Sequence, residues 1–145
     1  MVNCKVRLAL AARESIVVHA RAAWPAECCG LLIGTSGHIA EAVPARNVAG
    51  VVAGKNPATT YVIDPGDHIT VRREARQRGL TVVGFYHSHP SSRAWPSPTD
   101  IAEANYADAL WVIVSLERKP VDVRGFRIEE GRVVEVSLET NFEPA

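Results

Sequence analysis

The chain contains too few cysteines to be stabilised by disulfides. Only 3 of its 145 residues are cysteine, at positions 4, 28 and 29. Because this number is odd and two of the three residues are adjacent, they do not make a disulfide framework. We therefore expect reduced thiols and a cytoplasmic protein.

Long apolar runs and an excess of charge of one sign are also missing. The longest strongly apolar runs, 28–33 and 109–114, are far shorter than the roughly 20 residues of a membrane helix. Residues 8–12 are too short for the apolar part of a secretory signal. With 16 basic and 16 acidic side chains, the chain has no overall field that favours nucleic acid or a membrane surface as a partner.

The composition that remains is typical of a globular protein. Hydrophobic residues make up 47% of the chain and charged residues 22%, which differs from the composition of disordered chains. No repeat or low-complexity linker divides the 145 residues. We therefore predict a single domain over 1–145 with one substantial core.

The spacing of apolar residues and of helix and turn signals predicts an α/β fold. Helices are predicted at 11–23, 65–78 and 98–106, and strands at 28–34, 39–43, 61–63, 80–86, 109–116, 121–128 and 132–138. Residues 45–59 hold three glycine or proline breakers and no clear period, which predicts a mobile loop. Strands alternate with helices early and pair late, which favours a mixed central sheet flanked by helices.

The segment His87-Ser88-His89-Pro90 carries the strongest chemical signal. In an extended chain, residues i and i+2 point to the same face, so both imidazoles can reach one ion at about 2.0–2.1 Å. The pair lies where an apolar strand gives way to a loop, a position where sites are often built. A His-x-His pair arises by chance roughly one time in seven at this histidine content, so the pair alone does not establish a metal site.

Two acidic residues, Asp100 and Glu27, could complete a catalytic site with the two histidines. Ser97-Pro98-Thr99-Asp100 is a helix-start pattern, and its Asp100 can supply a third ligand from the first turn. Two imidazoles and one carboxylate leave an open position on tetrahedral Zn²⁺, the pattern of a catalytic site. Glu27, which precedes an apolar strand, is the best candidate for a general base, although taken alone it reads as a surface residue.

Together these residues resemble the signature of the JAMM or MPN-domain zinc metalloproteases. That signature is a distant glutamate followed by His-x-His-Pro, six residues and Ser-x-x-Asp, and here residues 91–96 supply the spacer. The resemblance extends to Glu27-Cys28-Cys29-Gly30-Leu31-Leu32 and to Tyr61-Val62-Ile63-Asp64-Pro65, which are similar to the compact bacterial branch.

The resemblance implies a role for each matched residue. His87, His89 and Asp100 would bind one zinc ion per chain, Glu27 would activate the zinc-bound water, and Ser97 would stabilise the oxyanion. The implied activity is hydrolysis of a peptide or isopeptide bond at the C-terminal tail of a ubiquitin-like or sulfur-carrier protein, and the compact chain favours the sulfur carriers. The alternative is a non-catalytic MPN scaffold, which usually lacks the ligands.

Several residues keep two interpretations at this stage. Arg93 is either a solvated loop residue or a partner for a substrate carboxylate, and Trp95 either packs in the core or lines the cleft. Cys28 and Cys29 are interpreted as buried apolar residues rather than as ligands or a redox pair. The histidines that lack a partner at ligand spacing are predicted to lie at the surface: His19, His38 and His68.

Overall fold

A computed structural model describes residues 5–140 of the chain, so Cys4 lies outside the described residues. The strands are β1 (Lys5–Leu8), β2 (Cys29–Thr35), β3 (His38–Ala45), β4 (Thr81–His89), β5 (Leu110–Ser115), β6 (Asp122–Glu129) and β7 (Arg132–Glu139). The helices are α1 (Leu10–Ala23), α2 (Ala49–Val52), α3 (Pro65–Gln77) and α4 (Pro98–Ala102). No helix within 5–140 is long and apolar enough to cross a membrane.

The strands form one mixed sheet, as predicted, in the order β1-β3-β2-β4-β5-β6-β7. β1 runs parallel to β3 and to β7, β4 runs parallel to β5, and the remaining neighbours are antiparallel. Because β1 pairs with both β3 and β7, the sheet closes into a barrel. The sequence did not predict this closure, because nothing in the residues of β1 indicates that they pair with β3 and β7.

Successive residues of the central strands alternate between two apolar clusters. In β4, Tyr86 belongs to the cluster that α1 completes with Ile16, and Phe85 belongs to the cluster that α3 completes with Val71. The two helices therefore cover opposite faces of the sheet. Burying a side chain such as Ile16 contributes about 1.5–3 kcal/mol to stability.

Local signals account for the ends of α1 and α3. The break at Trp24-Pro25 ends α1 where it was predicted to end. Asp64 caps α3 by accepting a 3.0 Å hydrogen bond from the backbone of Asp67, and Pro65 begins the helix. Gly79 follows α3 with φ of +73°, a conformation that suits glycine.

Two predicted elements differ from the structure. The helix predicted at 98–106 is only α4, five residues long. The i→i−4 bond from Glu103 to Thr99 is followed by a tighter i→i−3 bond from Ala104 to Ile101, and the helix does not continue. The strand fragment predicted at 61–63 is not a strand, since only an isolated bridge joins Ile63 to Asn47.

Asn47 organises the segment 45–59, which was predicted to be a mobile loop and contains the short helix α2. Its amide nitrogen donates to the carbonyls of Glu27 at 3.0 Å and Thr60 at 3.2 Å. Its amide oxygen accepts two backbone hydrogen bonds of 3.1 Å, from Ala49 and Val62. One side chain thus joins both ends of the segment to the backbone of Glu27.

We expect Asn47→Ala to destabilise the protein by about 3 kcal/mol, because it leaves several part-buried backbone groups without partners. Chemical denaturation checks this value. Asn56→Ala is the matched control, since the Asn56 side chain accepts one exposed bond from the backbone of Ala58, and its effect should stay within about 1 kcal/mol. Equal effects of the two substitutions would contradict the role assigned to Asn47.

Candidate metal centre

The two histidines of the predicted pair lie together at the end of β4. Their Nε2 atoms are 3.2 Å apart, and His87 and His89 are 1% and 4% exposed. The strand continues through His89, further than the sequence predicted, so both rings project from one face. Ser88 points to the other face, where its Oγ accepts a 2.7 Å hydrogen bond from the backbone of Cys28.

Asp100 joins the two histidines from the start of α4. Its Oδ2 lies 3.1 Å from the Nε2 atom of each histidine. A reciprocal capping box holds the carboxylate: the Ser97 backbone donates to Asp100 Oδ2 at 2.9 Å, and the Asp100 backbone donates to Ser97 Oγ at 3.0 Å. The short helix therefore fixes the carboxylate beside the strand end.

The donor atoms of His87, His89 and Asp100 fit a zinc ion. Their mutual separations are 3.1–3.2 Å. Donors placed about 2.0–2.1 Å from one tetrahedral ion stand about 3.3–3.4 Å apart. The set of two imidazole nitrogens and one carboxylate oxygen also suits zinc and leaves one position open.

The electrostatics of Asp100 and His87 favour the protonation states that metal binding requires, whereas those of His89 favour a proton that a metal would displace. Burial opposes ionisation of Asp100, but the hydrogen bonds from His87 and His89 hold its pKa well below the usual range. Burial lowers the pKa of His87 and keeps that ring neutral. At His89 burial also lowers the pKa, but the bonds to Asp100 and to the Arg93 carbonyl outweigh it and raise the pKa.

Glu27 lies just before β2 and reaches the same cluster. Its ligand atom and those of His87 and His89 all lie within 4.8 Å of one another. Although the sequence alone favours a surface position, the residue is only 5% exposed, and Oε1 is buried without a hydrogen-bond partner among the described residues. Burial raises the pKa of the carboxyl to about 8, in the range that suits proton transfer near neutral pH.

The side chain of Tyr61 contacts the cluster, and sequence reasoning gave it no role. Its ring stacks on that of His87 with centroids 4.5 Å apart and planes 26° apart. A metal-binding histidine usually donates its second ring nitrogen to a partner, yet His87 Nδ1 is buried with none in the described part of the chain. Stacking on Tyr61 therefore orients this ring. His89, by contrast, places Nδ1 2.8 Å from the Arg93 carbonyl.

Removing the ring of Tyr61 should weaken zinc binding by about 10–100-fold, the usual cost of losing a residue that orients a ligand. Competition with a zinc chelator measures this change for Tyr61→Ala. Tyr61→Phe keeps the stacked ring and should retain zinc affinity within about twofold. An equal loss in both variants would show that the hydroxyl, and not the stacking, matters.

The structure gives definite positions to the other residues that carried two interpretations. Trp95 is half-buried: its ring meets Phe126 edge to face at 5.1 Å, and one side lines a cavity of about 310 Å³. The Arg93 guanidinium lies 5.5 Å from the centre of the Trp95 ring. Cys28 and Cys29 are buried, as predicted, and burial raises their thiol pKa to about 11 and about 12.

All three histidines predicted to lie at the surface, His19, His38 and His68, are instead half-buried. His19 Nδ1 lies 2.7 Å from the hydroxyl of Tyr86. His68 accepts a 2.7 Å hydrogen bond from Arg72, and its ring meets that of Phe85 at 5.5 Å. None of the three belongs to the group within residues 5–140 whose donor atoms could hold a metal ion.

Comparison with known proteins finds relatives along most of the chain. Residues 10–129, which include all five candidate site residues, match a family described as prokaryotic homologues of the JAB domain. The chain is 36% identical over 121 residues to a desampylase from Haloferax volcanii, covering 79% of this chain and 84% of that protein. It is 37% identical over 124 residues to a CysO-cysteine peptidase from Mycobacterium tuberculosis, covering 84% and 82%.

Solved structures show the same architecture. The solution structure of a protein from Desulfitobacterium hafniense matches with a TM-score of 0.82 at 26% identity, covering 95% of this chain and 94% of that one. The crystal structure of a JAB1/MPN-domain protein from Archaeoglobus fulgidus matches with a TM-score of 0.59 at 19% identity, covering 93% and 98%. The second similarity concerns the fold alone.

Proposed function

This chain belongs to the prokaryotic family of JAB-domain homologues, and from that membership we propose that it is a zinc-dependent peptidase. Its proposed substrate is the peptide or isopeptide bond at the C-terminal tail of a ubiquitin-like or sulfur-carrier protein. Relatives named desampylase and CysO-cysteine peptidase support this class of substrate. The observation that carries the proposal is the cluster of His87, His89 and Asp100, whose side-chain nitrogen and oxygen atoms lie 3.1–3.2 Å apart, beside the buried carboxylate oxygen of Glu27 that has no partner in the described residues.

His87, His89 and Asp100 would hold one zinc ion per chain. When bound, zinc polarises the scissile carbonyl and lowers the pKa of a water ligand to about 7. Asp100 contributes the negative charge of the set, and its capping box keeps the carboxylate in place. The whole chain, 1–145, is proposed to act as one catalytic domain in the cytoplasm.

Glu27 is proposed to move the proton. Its buried carboxylate is close to the metal donors and has a free acceptor, Oε1. It takes a proton from the attacking water and delivers it to the nitrogen of the leaving amine. Backbone bonds fix its position, because its N–H donates to the Pro57 carbonyl at 2.8 Å and its carbonyl accepts from Asn47.

Ser97 is proposed to stabilise the negative charge that develops on the carbonyl oxygen of the substrate. Its Oγ already accepts the backbone hydrogen bond of Asp100. A hydroxyl has one donor in addition to its acceptor sites, so Ser97 can cap α4 and still donate to the oxyanion. The same residue thus positions the helix that carries a metal ligand and takes part in the reaction.

Mass spectrometry of two substrate classes tests this function. We expect the zinc-loaded protein to remove the final residue from a sulfur-carrier protein extended by one amino acid, because the compact chain favours a small leaving group. Ubiquitin dimers are the second substrate, and protein treated with a chelator is the control. If zinc-loaded protein cleaves neither substrate, the non-catalytic scaffold becomes the better description of the chain.

A further inference from the structure

An exposed tryptophan and three cationic side chains line a groove at one edge of the molecule. Trp24 is 61% exposed and stands over the partly buried side chains of Leu116 and Val121. We call this groove of about 320 Å³ the basic shelf, and its remaining lining residues are Arg21, Arg118 and Lys119. It therefore combines an aromatic anchor, an apolar floor and three positive charges.

The charges of the basic shelf are not neutralised from within the chain. No carboxylate lines the groove, and Arg21, Arg118 and Lys119 form no ion pair with any residue in 5–140. The chain as a whole has a net charge of +0, so this local excess is a property of the surface and not of the composition. Such a surface attracts an acidic partner and speeds its association.

The basic shelf and the metal centre lie at the same end of β4 and β5 but on opposite faces of the sheet, since Leu116 and Val121 pack with the α1 cluster and His87 and His89 share the face of Phe85. Leu116 in its floor donates a 3.1 Å backbone hydrogen bond to the carbonyl of His89, a proposed zinc ligand. Trp24 precedes Glu27 by three residues along the chain. A substrate whose tail passes this strand end to reach the metal donors can therefore place its folded body on the shelf.

The positive surface continues past Arg118 into the neighbouring cavity of about 310 Å³, which Arg93 and Trp95 also line. This cavity contains the carboxylates of Glu117 and Asp122 as well. Asp122 is bonded to Arg124 at 2.9 Å, so it offers little charge to the shelf. Glu117 offsets part of the positive charge of this cavity, so the excess is larger on the side of Trp24, where no carboxylate lines the groove.

We propose that the basic shelf binds an acidic face on the folded body of the ubiquitin-like substrate while the tail of that substrate occupies the metal centre. This inference rests on the proposed function. Tryptophan and arginine are the residues that most often carry the binding energy of protein interfaces. A nucleic acid is a poorer fit, because three cations neutralise few phosphates and the chain has no net positive charge.

Binding of a folded carrier tests the shelf independently of catalysis. The probe is a sulfur-carrier protein extended by one amino acid, titrated into zinc-loaded protein that carries Glu27→Gln so that the carrier stays intact. Adding Arg118→Glu and Lys119→Glu should weaken binding roughly tenfold or more and flatten its dependence on salt. The matched control is Arg73→Glu with Arg76→Glu on the exposed face of α3, the same change of charge, which should leave binding within twofold.

A second readout separates docking from chemistry. With Glu27 intact, the shelf variant should raise KM for the folded carrier roughly tenfold and leave cleavage of a hexapeptide with the same tail unchanged. Equal losses of cleavage of the carrier and of the hexapeptide would overturn the proposal. Unchanged binding of the carrier to the shelf variant would overturn it as well. The proposal would also be overturned if the carrier did not bind and a 20-base-pair DNA duplex bound the wild-type protein but not the shelf variant. Failure of the wild-type protein to cleave while the carrier still binds through the shelf would reject the proposed function alone.

Discussion

Replacing Glu27 by glutamine should reduce kcat by about 10²–10⁴-fold while the protein keeps about one zinc ion per chain, because the change removes a proton acceptor and no ligand. Glutamine has nearly the same shape as glutamate and keeps the backbone bonds to Pro57 and Asn47. The buried Oε1 has no hydrogen-bond partner in the described residues, so no existing bond is lost. Steady-state kinetics and metal analysis together measure this separation.

Glu27→Gln should also leave thermal stability unchanged or slightly raised. Burial makes the ionised carboxylate unfavourable, as its raised pKa of about 8 indicates, and a neutral amide avoids that cost. Glu74→Gln, an exposed change on α3, controls for loss of a carboxylate elsewhere and should leave activity unaffected. Activity of Glu27→Gln within tenfold of the wild-type protein would mean that another group takes the proton.

The grouping of His87, His89 and Asp100 could be expected from the sequence because their arrangement is largely local, and their role as metal donors stays a prediction. His87 and His89 share a face in any extended strand, and the capping pattern around Asp100 places a carboxylate in the first turn of a helix. The long-range step, which brings α4 against the end of β4, came from the family resemblance. Both histidines then meet Asp100 Oδ2 at 3.1 Å.

The burial of Glu27 could not be read from its neighbours in sequence. A carboxylate before an apolar strand is usually exposed. Here Pro57 and Asn47 of the segment 45–59 hold the Glu27 backbone by hydrogen bonds, and the residue is buried. That segment lacks an apolar period because its order comes from side-chain hydrogen bonds. Periodicity reports packing against a core and carries no information about bonds of this kind.

Contacts between aromatic rings that are distant in the chain could not be predicted from the sequence either. Tyr61 stacks on His87, and His19 bonds to Tyr86, across 26 and 67 positions of the chain. The sequence shows each residue type but not which distant ring faces it. The closure of the sheet could not be predicted for the same reason, since β1 pairs with β7 over more than 100 positions.

Asp100→Ala should lower zinc affinity by at least about 100-fold and abolish hydrolysis with it, since the change removes one of the three proposed ligands and the only negative charge among them. It also removes the oxygen that His87, His89 and the Ser97 backbone share. Two buried imidazoles are then left without their common acceptor. Chelator competition and metal analysis measure the affinity, and activity should return only in part at high zinc.

The effect on zinc must be separated from the effect on the helix, because Asp100 is part of a capping box. Asp64→Ala is the matched control: Asp64 also caps a helix, α3, by accepting from the backbone of Asp67. Its loss should cost about 1 kcal/mol of stability and leave zinc affinity unchanged. Asp100→Asn keeps the size of the side chain and an oxygen for the Ser97 backbone but not the charge. If it binds zinc as tightly as the wild-type protein, Asp100 positions α4 and is not a ligand.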